Sequence, residues 1–417
     1  MTEQEKSVLN LVDEKEIIEF AQSLIRARSD NPPGDTREVA QVCSDKFTEY
    51  GIQSRLHIAP PEIVSTLYPD SDNATMPSVI ATMKGVEDGP TLLLNAHIDT
   101  VRAGDLSEWD DDPFAGVVKD GYIYGRGAGD DKGAVLAQVL AACYLKKANI
   151  PLKGTLLINP VADEEANAIR GTKWLKESKI YDPMPDMLIV GEQTDNRVAC
   201  AERLVVYTKV KIKGRACHGA MPWKGVNATA LMSDFIQLLK NELEPELQKI
   251  KNPYLPLSTA SPTRIQGGLQ TNIIPDLCEL NIDMRLVPEI SLKEALEKLN
   301  TLLQKLSDRG PAFEWEVSAT DAVPYGVYTP PEHPLIRSML SAVEDITGEK
   351  AEPTGYRQGS DGKMFSDMNI PIAIFGPSDP SVGHSPNECV SIKQLVEATK
   401  IMILSIMRVM GPEGAGK

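Results

Sequence analysis

Hydrophobic positions change period along this 417-residue chain, and the changes mark out its elements. Ile17, Phe20, Ala21, Leu24 and Ile25 recur at helical spacing. Asp13 and Glu16 are set out like a capping box before them, and Pro32, Pro33 and Gly34 lie beyond the end. Apolar runs then alternate with helical patterns: a strand over 91–95, a helix over 134–147, and strands over 154–161 and 187–190. This alternation predicts an α/β domain with a mostly parallel sheet flanked by helices.

Near Arg203 the pattern changes. Residues 204–213 alternate like a half-exposed strand, 227–243 read as a helix, 263–266 as a short strand and 278–286 as an alternating strand. An amphipathic helix over 291–306 and a strand over 313–319 complete a β-α-β-β-α-β order, that of a ferredoxin-like split unit. From about Pro324 the α/β character returns, with a helix over 334–347, a strand over 370–375 and a last helix over 392–410. The predicted organisation is an α/β domain over 1–202 and 320–417, interrupted by an inserted α+β domain over 203–319. Residues 411–417 read as a frayed tail.

Composition narrows the function classes. Apolar residues make up 42% and charged residues 24%, enough for a sizeable core. A formal net charge of -16 repels phosphate backbones and anionic membranes, so no nucleic-acid or membrane partner is expected. Six cysteines are scattered without a C-x-x-C pair, which suits reduced thiols rather than a disulfide framework. The first residues, Met1 to Lys6, are polar and acidic, and no apolar run reaches membrane-spanning length; a cytoplasmic protein is expected.

The chemistry concentrates at strand ends. The run Leu92-Leu93-Leu94-Asn95-Ala96 ends in His97-Ile98-Asp99, an imidazole and a carboxylate two residues apart. Strand side chains alternate faces, so the pair would project together from the C-terminal edge, where ligands sit in open α/β sheets. Imidazole plus carboxylate suits a divalent metal. Three more acidic sites share this setting. They are the glycine-rich turn Gly125–Gly133 with Asp130 and Asp131, the Asp163-Glu164-Glu165 run after 156–161, and Glu192 after 188–190. Asp130 and Asp131 also suit a helix N-terminus, but several such sites at one sheet edge exceed what capping asks for. His384, one of five histidines, follows the late strand within Gly383-His384-Ser385-Pro386-Asn387-Glu388.

Together and in order, these segments resemble the M20 family of metallopeptidases and deacylases, which includes acetylornithine deacetylase, succinyl-diaminopimelate desuccinylase, aminoacylase and glutamate carboxypeptidase. The resemblance implies a zinc-exopeptidase-like catalytic domain, a lid and dimerisation domain in the insert, and two Zn²⁺ ions per subunit. Cobalt or manganese could fill the same ligand set. It gives His97 and Glu192 to one metal, Glu165 and His384 to the other, and Asp130 to both as a bridge. Glu164 would be the general base, and Asp99 would orient His97. In the insert, His218 resembles a lid histidine that reaches a dimer partner's site and stabilises the oxyanion. Asn272 and Arg285 match segments that bind a substrate carboxylate, and Gly359 and Ser360 match a substrate-contacting loop. Tyr356 and Arg357 beside that loop are candidates for setting acyl preference.

The implied function is a dizinc amidohydrolase in which metal-activated water removes the acyl group of an N-acyl amino acid. The class EC 3.5.1.- is favoured over 3.4.-, because Glu192 resembles the deacylase, desuccinylase and carboxypeptidase branches. A carboxypeptidase or dipeptidase is the alternative within the family. The alternative of another class is a non-catalytic metal-binding homologue. A homodimer and a small N-acyl amino acid or peptide substrate are the expected partners.

Overall fold

A computed structural model describes residues 1–63, 75–320 and 323–411. At its centre lie four parallel strands in the order Lys153–Val161, Glu87–His97, Met187–Val190 and Ile372–Ile374. Antiparallel strands extend both margins: Ser78–Lys84 and Gln53–His57 beyond the first, Ala199–Glu202 and Val327–Tyr328 beyond the last. Thr354–Tyr356 pairs in parallel with Ala199–Glu202. The architecture is thus mixed α/β with a large, mostly parallel sheet. The central strands are buried through their length toward their C-terminal ends, as continuous apolar runs of a doubly covered sheet should be.

Helices cover the sheet where their apolar faces find it. Lys132–Lys147 is buried almost all round, since it packs on the sheet and is itself covered by Ile392–Met410. The helix predicted from Ile17, Phe20, Ala21, Leu24 and Ile25 is Glu14–Arg26, and Asp13 caps it by accepting from Lys15 N at 3.0 Å. Glu16 does not close a capping box. Its carboxylate turns inward, where it accepts from the hydroxyls of Tyr50 (2.8 Å) and Tyr144 (2.9 Å) and pairs with Lys46. A capping box does occur one element earlier, at Thr2 and Glu5 of the short helix Glu3–Leu9.

Residues 204–320 hold a second sheet, antiparallel throughout, in the order Thr259–Gly267, Leu277–Leu286, Leu204–Lys213, Glu314–Thr320. With the helices Ala228–Leu238 and Leu292–Ser307 it follows the β-α-β-β-α-β order, and the order of strands in space is that of the split unit. The predicted frayed tail lies, apart from Gly411, outside the described residues. Among the described residues no helix is long and apolar enough to cross a membrane.

Candidate metal centre and its cavity

Every acidic strand end singled out in the sequence opens on the same edge of the parallel sheet. His97 is the last residue of its strand, Glu164 and Glu165 follow Lys153–Val161, and Glu192 follows Met187–Val190. These ends crowd against the start of Lys132–Lys147. A Cβ on Gly191 would come within 2.6 Å of Ala96 Cβ and 2.9 Å of Ala134 Cβ, so only glycine allows that approach. Gly127, at φ +80°, supplies the left-handed turn that lets the chain double back into Asp130 and Asp131.

The donors form two triplets, His97–Asp130–Glu192 and Asp130–Glu165–His384, each with its ligand atoms within 4.8 Å of one another. Asp130 belongs to both. Its Oδ1 lies 3.1 Å from His97 Nε2 and its Oδ2 lies 3.2 Å from His384 Nε2. Asp131 points elsewhere and accepts from His97 N at 3.2 Å, so of the two aspartates only Asp130 faces both histidines. Each triplet offers one imidazole nitrogen and two carboxylates, a set that suits zinc, cobalt or manganese.

The electrostatics fit a bound cation. Burial pushes the Glu165 carboxyl up to about 7 and the Glu192 carboxyl well above the usual range, with neighbouring carboxylates adding to both. His384 is pushed up to about 10 by its hydrogen bonds to Asp130 and Glu165. For His97, burial opposes the charge, but Asp130, Asp131 and Glu164 outweigh it and raise its pKa well above the ordinary value. Asp130 is held below the carboxylate range because both histidines more than offset its burial. Buried carboxylates in excess of positive charge are what a cation relieves.

One supporting role differs from the sequence expectation. His97 Nδ1 hydrogen-bonds the backbone carbonyl of Asp99 at 2.9 Å, whereas the Asp99 carboxylate stays 3.8 Å away. That carboxylate instead accepts from Glu164 N (3.2 Å), Glu165 N (3.3 Å) and Asn31 Nδ2 (2.9 Å). Asp99 therefore sets the turn that carries Glu164 and Glu165, and orients His97 only through its main chain. The strand ends at His97, so strand alternation does not extend to Asp99. Asp163, left-handed at φ 78°, is fixed beside it by Arg170, whose Nε donates to Asp163 Oδ1 at 2.8 Å.

A cavity of about 230 Å³ opens over the cluster, lined by Asp130, Glu164, Glu165, Glu192 and His384 on one side. Arg285, Tyr207, Gln358, Gly359 and Lys363 face them. Glu164 lines it with no hydrogen bond or ion pair to its carboxylate among the described residues. Arg285 reaches the cavity held by Asp283, with Nε to Oδ1 at 2.8 Å and Nη2 to Oδ2 at 3.0 Å. Gly359 lines the cavity. Ser360 does not: it is fully buried, its N–H donates to Glu202 Oε1 at 2.9 Å, and its hydroxyl hydrogen-bonds Glu202 and accepts from Gly362 N. Ser360 caps the turn Asp361–Phe365 rather than facing the cavity.

His218 and Asn272 also stay outside. Both are exposed: His218 lies on 217–218, which pairs with 273–274, and Asn272 lies in the turn just before that strand, where its carbonyl accepts from Gly219 N at 2.7 Å. Tyr356 is buried and donates to Glu192 Oε2 at 2.8 Å, which makes it a partner of a candidate ligand; Arg357 is exposed and absent from the lining. Lys363 went unread in the sequence. Its signal was a lysine set among Gly362, Met364 and Phe365 in an otherwise buried turn. Burial works against its charge, yet Glu164, Glu202, Asp361 and Glu192 leave its pKa raised.

Comparison with known proteins gives the family. The model of peptidase family M20/M25/M40 matches residues 93–408. An uncharacterised metallohydrolase of Methanocaldococcus jannaschii is 27% identical over 93% of this chain and 98% of its own length. The acetylornithine deacetylase of Shigella sonnei is 30% identical over 76% of this chain and 79% of its own. Among solved structures, a tripeptidase from Staphylococcus aureus superposes with a TM-score of 0.71 at 21% identity, covering 95% of this chain and 99% of that one. A family match across most of the chain, laid over two carboxylate–histidine triplets that share one aspartate, places this protein in peptidase family M20/M25/M40, a family of metal-dependent hydrolases of amide bonds.

Proposed function

We propose that this chain is a dinuclear metallohydrolase that deacylates a small N-acyl amino acid, as an acetylornithine deacetylase or succinyl-diaminopimelate desuccinylase does. The observation that carries the reading is Glu164, a carboxylate with no hydrogen-bond partner among the described residues, beside two ligand triplets joined at Asp130. Two divalent cations, zinc or a substitute, would polarise the amide carbonyl there and lower the pKa of water. Glu164 accepts the proton of the attacking water and returns it to the leaving amine. Asp99 aims Glu164 by holding its N–H, and Tyr356 fixes Glu192 by donating to it. A cavity of about 230 Å³ suits one acylated amino acid better than an extended peptide.

Residues 203–319 are assigned the lid and dimerisation role. Trp223 (74% exposed) and Leu269 (93%) stand with Met221 and Ile273 around the segment that holds His218. A second copy that covers this apolar surface would let the partner subunit's His218 reach the cavity, where it would stabilise the tetrahedral oxyanion; Asn272 would travel with it. A reducing, cytoplasmic setting suits the six free cysteines.

Arg285 is assigned the substrate carboxylate. Arg285→Ala should raise KM about 10- to 100-fold, the worth of a charge-assisted hydrogen bond, with kcat changed far less. An unchanged KM on a carboxylate-bearing substrate removes the assignment. Lys363, whose ammonium has no hydrogen bond or ion pair among the described residues, is assigned an anionic group on the acyl chain. Lys363→Met should therefore cost N-succinyl substrates about 10-fold or more in kcat/KM relative to N-acetyl ones. Equal losses on both would make Lys363 only a counter-ion to Glu164 and Glu202. The test of the whole reading is a panel of N-acetyl, N-succinyl and N-formyl amino acids beside dipeptides. Hydrolysis confined to the acyl amino acids supports it, and turnover of dipeptides alone replaces it with the peptidase reading.

A further inference from the structure

Asp130 and His384 face one another across a join between two loops far apart in sequence, and a single carboxylate makes that join. Glu388 is fully buried. Its Oε1 accepts from Gly129 N and Asp130 N, both at 2.9 Å. Its Oε2 accepts from Gly127 N at 3.2 Å and from Arg126 Nη1 at 2.5 Å. Four donors thus converge on two oxygens and satisfy the hydrogen-bonding capacity of this buried carboxylate. The partners lie some 260 residues away in the chain, on the turn that ends in Asp130.

The grip runs in both directions. Gly125 N donates to the Glu388 carbonyl at 2.9 Å, and Arg126 Nη2 donates to the Ser385 carbonyl at 3.2 Å, next to His384. Arg126 in turn lies against Trp109, 5.2 Å from the ring centroid. The two loops meet so closely that a Cβ on Gly129 would come within 2.6 Å of Ser378 Oγ. Because the Asp130 N–H is itself held, its Cα and the reach of its carboxylate are fixed relative to the loop that carries His384.

We propose that Glu388 is the positioning residue that sets the Asp130–His384 half of the metal centre while touching neither ligand's side chain. A carboxylate that served only to hold the fold would affect both triplets alike. Glu388 fixes two of the three donors of the Asp130–Glu165–His384 triplet, but only the shared Asp130 in the other. Its loss should therefore fall on one metal more than the other. The inference rests on the dinuclear reading above, and the test keeps the two apart.

The test is a Co²⁺ titration of the chelator-stripped full chain, followed by calorimetry and by the visible band of the bound ion. Wild type should bind two equivalents; a chain that binds none ends the metal reading itself. In Glu388→Gln one binding event should weaken about 10- to 100-fold and the other by about threefold or less. Glu388→Asp should fall between Gln and wild type. In His384→Ala, adding Glu388→Gln should change the remaining event little. Two events that weaken equally, or none that weakens in a folded variant, overturn the proposal. An arm on wild type needs no variant to fold: hydrogen exchange at Gly129 and Asp130 amides should stay slow after the metal is stripped. Exchange that rises to loop rates on stripping would show that the ion, not Glu388, holds Asp130.

Discussion

Glu164→Gln should lower kcat by about 10²–10⁴-fold, the usual contribution of a positioned acid–base group, and leave KM and metal content near wild type. Glutamine keeps the shape and cannot take the proton. The expectation follows from separation of duties at adjacent residues. Glu165 accepts from Val101 N and faces His384 Nε2 at 3.1 Å, so it is committed to a ligand triplet. Glu164 lines the same cavity without such a commitment among the described residues. Kinetics of both variants with metal analysis decide it: Glu165→Gln should lose metal, Glu164→Gln should not. Undiminished turnover by Glu164→Gln would remove the base and with it the proposed mechanism.

Asp130→Ala should be the most damaging single ligand change, because Asp130 is the one donor common to both triplets. The expected result is loss of both ions, loss of amide hydrolysis, and loss of metal-dependent stabilisation in thermal unfolding. A ligand present at about 1,000 times its Kd stabilises the folded chain by about 4 kcal/mol, so wild type should show a clear rise in Tm with added metal where the variant shows none. Metal binding should also release protons. His384, pushed up to about 10 by Asp130 and Glu165, and the raised Glu165 carboxyl at about 7 must both deprotonate to ligate. Affinity should therefore climb as pH rises through neutrality. A variant that keeps one ion at wild-type affinity would show that Asp130 does not bridge.

How far the sequence spoke depended on whether chemistry lay in a regular element or in tertiary packing. Parallel strands buried on both faces leave long apolar runs, and an acid after such a run stands out; that is why Glu164, Glu165 and Glu192 were legible. The insert was legible because its strands alternate, as in Leu204–Lys213. Asp99 was misplaced because the two-residue period was extended one step beyond the end of its strand. Ser360 and Lys363 share a short loop, and no local rule tells which of two polar side chains turns toward a cavity formed by another sheet. Glu16 has the spacing of a cap, yet two tyrosines distant in sequence claim it. The strands Gln53–His57 and Val327–Tyr328, short and at the sheet margins, carry too little pattern to be read.

The central proposal is that His97, Asp130, Glu165, Glu192 and His384 hold two cations. Its most direct test is metal analysis of the purified chain paired with amide hydrolysis before and after chelation. The expected result is two equivalents per chain, activity lost on chelation and restored by zinc or cobalt, and neither ion retained by Asp130→Ala. Amide hydrolysis that survives complete removal of metal would contradict it.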